Sequence, residues 1–148
     1  MIANWIHITI VHLAVIGALW LLYRALIHRK LAMDCKQWKD NYSIAIIIGI
    51  LSTIAYFTGP EAADHLKAIL DSYPQELIED HALWGRVSFV IQVIAALLGI
   101  MGWASILQEE KPDRRISSIL IVLLIANALV IIYTSHLGGL IRRMDLAL

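Results

Sequence analysis

Four long apolar runs dominate this chain: Ile2 to Ile27, Tyr42 to Thr58, Ala82 to Leu107 and Ile116 to Tyr133. Each approaches the roughly 20 residues that a helix needs to cross the hydrocarbon core of a bilayer. With 59% hydrophobic residues among 148 and a mean hydropathy of +0.72, the chain cannot present an ordinary soluble surface. The expected fold is therefore all-α, an integral membrane four-helix bundle in a single domain. Its spans fall near 3–27, 41–58, 81–107 and 116–138, with an outer connection over 59–80. The first run has no basic segment before it and no small-residue cleavage site after it, so it reads as a retained helix rather than a secretory signal. A single cysteine, Cys35, excludes an internal disulfide and any cysteine cage for a metal.

Charge sets the expected orientation. Arg24, Arg29, Lys30, Lys36 and Lys39 follow the first run, and Lys111, Arg114 and Arg115 separate the third from the fourth. The positive-inside rule makes both groups cytoplasmic, in a bacterial-type inner membrane, with both termini and the 59–80 connection outside. Arg142 and Arg143 oppose this assignment and are outnumbered. Trp5, Tyr56, Trp84 and Tyr133 fall at the outer ends of the spans, and Trp20, Tyr23, Trp38, Tyr42 and Trp103 toward the inner ends. Such interfacial aromatics support the span limits.

Thr58-Gly59-Pro60-Glu61 reads as a helix start, with Pro60 in the first turn and Glu61 and Asp64 near the positive end of the dipole. Ala62, Leu66, Ile69 and Leu70 then share a face, which predicts a short amphipathic helix on the outer side, interrupted at Ser72-Tyr73-Pro74. The connection is acidic: Glu61, Asp64, Asp71, Glu76, Glu79 and Asp80 stand against Lys67. A solvated loop and a docking surface for a basic partner both fit that pattern.

Histidines carry the main functional signal. By topology His7, His12, His65, His81 and His136 belong to the outer side, and only His28 to the inner. With about 1.5 Å of rise per residue, His7 lies roughly one turn below the surface and His12 roughly 12 Å below it. Ionisable groups within a membrane are costly and usually face the bundle interior. His7 and His12, five residues apart, point about 140° apart and cannot grip one ion together. Imidazoles on two different helices suit an iron porphyrin, which is ligated on both faces of its ring.

The stretches IHITIVHLAVIGAL, TIAYFTGPEA, EDHALWG and TSHLGGLIRR, taken together and in this order, resemble the small four-helix membrane family catalogued as domain of unknown function 2231. The family's first motif reads closer to HPxxVHFPIA and its last to GHLGG. Here Ile8 replaces the proline, Leu13 the aromatic and Ser135 the first glycine, while His7, His12, His81 and His136 remain in place. Family members are often joined to, or encoded near, extracytoplasmic c-type cytochromes. The resemblance thus implies electron transfer through a b-type haem near the outer leaflet, within a larger respiratory or photosynthetic assembly. Its partners would be other membrane subunits in the lipid bilayer and an outer c-type cytochrome or quinol. On that reading His12 is one axial ligand and His136 or His81 the other. Arg86, Arg142 and Arg143 would meet the propionates, and Gly138 and Gly139 would admit the flat ring. No CxxCH motif is present, which excludes covalent c-type attachment.

Two other classes compete with this one. The chain also fits a cofactor-free structural subunit of such a complex, in which Gly49, Ser52, Ala95, Ala96, Gly99 and Gly102 are close helix contacts. It fits, too, a metal-binding or transport membrane protein that gathers copper, zinc or iron through a histidine and carboxylate cluster, with His12, His136 and His81 as donors and His7 and His65 as further ones. Ser135 beside His136 is not a nucleophile and base, since adjacent helix positions point about 100° apart. There is no glycine-rich phosphate loop, no nucleic-acid signature and no buried acid in the inner half to continue a proton path.

Overall fold

The computed structural model describes residues 2–29, 34–69 and 74–144. Four helices follow one another: α1 (Ile2–His28), α2 (Cys35–Ile69), α3 (Gln75–Leu107) and α4 (Arg114–Met144). All four are long and apolar enough to cross a membrane. Each packs on its neighbours in sequence, and α4 closes the ring on α1 through the thinnest of the four seams. The result is an all-α, up-and-down bundle with the basic α1–α2 and α3–α4 connections at one end, the basic face, and the acidic α2–α3 connection at the other, the acidic face.

Local chemistry sets the helix ends at the basic face. Asp34 caps α2, its Oδ1 accepting the N–H groups of Lys36 (2.8 Å) and Gln37 (3.3 Å). Asp113 caps α4 in the same way through the Arg115 N–H at 2.6 Å. α3 stops in a Schellman arrangement: Glu110 N–H reaches the Ser105 carbonyl and Glu109 N–H the Ile106 carbonyl, both at 3.1 Å. Glu109 occupies the left-handed position at φ 63°, where glycine is the usual residue.

The α2–α3 seam is built on small residues. Tyr42, Ala45, Gly49 and Ser52 of α2 meet Gln92, Ala95, Ala96, Gly99 and Gly102 of α3 in antiparallel register. A Cβ at Gly49 would overlap that of Ala96, and one at Gly102 would overlap the Tyr42 ring. These are the close contacts expected where dispersion rather than the hydrophobic effect holds helices together. Tyr56 stacks on Phe89 with centroids 4.5 Å apart, and Trp84 meets Tyr133 edge-on at 5.2 Å, fixing the acidic end.

One expectation is corrected. No separate surface helix starts at Gly59: α2 runs unbroken through Gly59 and Pro60 to Ile69. Pro60 forfeits its own N–H bond within the helix, and Thr58 turns its hydroxyl back to the Ile54 (2.9 Å) and Ala55 (3.2 Å) carbonyls of the preceding turn. At 35 residues, α2 is about 52 Å long and outruns a hydrocarbon core of about 30 Å. Its extension keeps the expected two-sidedness, with Ala62, Ala63, His65 and Leu66 half-buried and Glu61, Asp64 and Lys67 exposed. The expected interruption at Ser72-Tyr73-Pro74 lies, apart from Pro74, outside the described residues.

Candidate functional site

At the acidic face all four helices contribute to a histidine pair. His7, near the start of α1, is half-buried, and its Nδ1 lies 3.0 Å from the Ala55 carbonyl and 3.2 Å from Thr58 Oγ1, both on α2. His81, near the start of α3, is also half-buried, with Nδ1 3.0 Å from the Thr134 carbonyl of α4. A glycine stands against each ring. A Cβ at Gly59 would be 3.5 Å from His7 Cε1, and one at Gly138 would be 3.2 Å from His81 Cε1. The two imidazoles come from helices, α1 and α3, that do not pack on each other among the described residues.

The acceptors determine the tautomers. A carbonyl oxygen can only accept, so Nδ1 must carry the proton in both rings. In the neutral ring Nε2 is then left with a free lone pair. A backbone carbonyl on Nδ1–H also orients metal-bound histidines and raises their basicity.

The remaining expected site residues lie elsewhere. His12 is exposed, and its Nδ1–H turns back to the Ile8 carbonyl of its own helix at 2.7 Å. His136 and Gly139 are exposed, with open space beside Gly139. Arg86 and Arg143 are exposed, and the side chain of Arg142 lies outside the described residues. His65 is half-buried on the α2 extension. The bundle therefore gathers His7 and His81, with Gly59 and Gly138, and turns His12 and His136 outward. The 140° between His7 and His12 operates in the unexpected sense: the shallower histidine faces in and the deeper one out.

Sequence reasoning missed a polar network at the basic face. Asn41, fully buried, accepts from Arg24 Nε at 3.0 Å and donates from Nδ2 to His28 Nδ1 at 3.1 Å. Arg24 also pairs with Asp40 at 3.7 Å. Tyr42 and Ser117 join α2 to α4, hydroxyl to hydroxyl, at 2.9 Å. The available signal was the polar Asn41 at the very edge of an apolar run.

Among the described residues no group of three His, Cys, Asp or Glu side chains converges to hold a metal ion. No family model, characterised protein or solved structure matches the chain.

Proposed function

We propose that the chain is a b-type cytochrome subunit that holds haem at the acidic face of the bundle and passes electrons within a larger membrane assembly. The observation that carries this reading is the pair of half-buried imidazoles, His7 and His81, each with Nδ1–H committed to a neighbouring helix and Nε2 left free. Haem asks the protein for two such donors, whereas a bare copper or zinc ion needs a larger set. The donor chemistry fits haem, and Gly59 and Gly138 keep bulk away from both rings. The chain's own residues would ligate through His7 and His81 and orient the rings through the Ala55 and Thr134 carbonyls. Haem, when bound, supplies one-electron cycling of its iron. The resemblance of the histidine motifs to a family associated with c-type cytochromes supports an outer cytochrome or quinol as the redox partner.

A second reading, a cofactor-free subunit, is favoured by the same bonds: His7 already ties α1 to α2, and His81 ties α3 to α4. Optical spectra of the purified, haem-supplied protein separate the two. A Soret band that shifts on reduction, lost in His7→Ala and in His81→Ala but kept in His12→Ala, is the expected result. A wild-type protein that folds and takes up no haem would favour the structural reading. Loss of the band in His12→Ala or His136→Ala alone would return the ligands to the positions expected from depth.

A further inference from the structure

The basic face holds a cavity of about 310 Å³ lined by Arg29, Trp38, Arg114, Ser117, Ser118 and Ile121. That size lies at the lower end of small-ligand pockets. Its walls come from the end of α1 and the first turns of α2 and α4, so it opens at the depth where a membrane changes from hydrocarbon to headgroup.

The donors around it are in surplus. Neither Arg29 nor Arg114 has an ion-pair partner among the described residues. Asp113, which precedes Arg114, has its carboxylate committed to the α4 cap. Trp38 is fully buried, and its Nε1–H has no hydrogen-bond acceptor among the described residues. An unpartnered buried N–H is costly, and this one belongs to a residue of the cavity wall. Ser117 cannot relieve it by turning, because its hydroxyl already donates to the Asp113 carbonyl and accepts from Tyr42. Ser118 adds a further hydroxyl. Two guanidinium forks, an indole N–H and a hydroxyl together call for a multidentate oxyanion with several acceptor oxygens.

We infer that this cavity binds a phosphate group, with Arg29 and Arg114 as its charged donors and Trp38 Nε1–H as the neutral donor that a bound oxygen would satisfy. The phosphate is either the headgroup of an anionic lipid or a soluble phosphate compound. Basic pockets between membrane helices take lipid phosphates at this depth. The site is independent of the histidine pair at the other end of the bundle.

The experiment uses the full chain purified in detergent. Native mass spectrometry and thermal unfolding would be recorded with phosphatidylglycerol, with diacylglycerol as the phosphate-free control, and with inorganic phosphate. Wild type should retain phosphatidylglycerol in preference to diacylglycerol and melt at a higher temperature with it. Arg29→Gln/Arg114→Gln should bind at least about tenfold more weakly, since each charged hydrogen bond is worth about 1.5–3 kcal/mol. Trp38→Phe should bind about fivefold more weakly, read as a smaller lipid-induced rise above its own ligand-free melting temperature, which the lost core volume lowers. Stabilisation by the lipid alone identifies a lipid site, and stabilisation by inorganic phosphate identifies a soluble ligand; either result supports the site. Equal retention of diacylglycerol with no response to phosphate would overturn it, as would unchanged binding by the arginine variant.

Discussion

The ring of Tyr42 on α2 occupies the space that a side chain at Gly102 of α3 would need. The hydroxyl of that ring reaches Ser117 on α4, so one buried residue joins three helices. Gly102→Ala is therefore expected to cost about 1–3 kcal/mol through overpacking. Gly139→Ala, where nothing lies within reach of an added Cβ, should be neutral or slightly stabilising, because alanine is the better helix former by about 1 kcal/mol. Reversible unfolding in mixed micelles would give both values. Equal losses at the two glycines would show that the seam yields.

Ser117 Oγ donates to the Asp113 carbonyl at 2.9 Å, so the Tyr42 hydroxyl is the donor in the pair. Tyr42→Phe removes that donor and leaves Ser117 with its own bond intact, a loss of about 0.5–1.5 kcal/mol. Ser117→Ala leaves a buried phenol with no acceptor and is expected to cost more, about 1–3 kcal/mol. A double-mutant cycle measures the order, and a larger loss from Tyr42→Phe would reverse the assignment of donor and acceptor.

Pro60 lies inside a continuous helix, and a proline there is about 3 kcal/mol worse than alanine in a helix interior. Pro60→Ala should stabilise the chain, by about 1 kcal/mol or more, and should slow amide exchange in residues 60–64. Were residues 60–69 a separate helix with proline in its first turn, the substitution would be neutral or unfavourable, and exchange would not change.

Glu109 holds the left-handed position that ends α3. Glu109→Gly removes a conformational cost of about 1–2 kcal/mol and loosens the unfolded chain by about 0.4–1 kcal/mol. A net gain of about 0.5–1 kcal/mol is expected. A melting temperature that falls would mean that the carboxylate makes a contact beyond its backbone geometry.

The number, order and approximate limits of the helices were legible because hydropathy over 20 residues is a strong signal. Helix rotation was not. In α1 the buried Ala14, Ala18, Leu21 and Ala25 are no more apolar than the exposed Leu13, Ile16, Leu19 and Trp20, so no periodicity marks the inward side. That is why depth pointed to His12 while packing turns His7 inward. The run through Gly59-Pro60 reads as a helix start for a local reason, since proline favours the first turn of a helix, whereas α2 continues through it. Gly49, Ala96, Gly99 and Gly102 were readable as helix contacts because small residues at these spacings do one thing well in a membrane bundle. Asn41 and Trp38 were opaque, because their meaning depends on which helix ends meet.

The four seams of the bundle are unequal, and α4 closes on α1 most lightly. A ring with one weak joint behaves as a strip wrapped on itself. Heat, or a pull along the bilayer plane, would part it between α1 and α4 first and leave the α2–α3 spine standing.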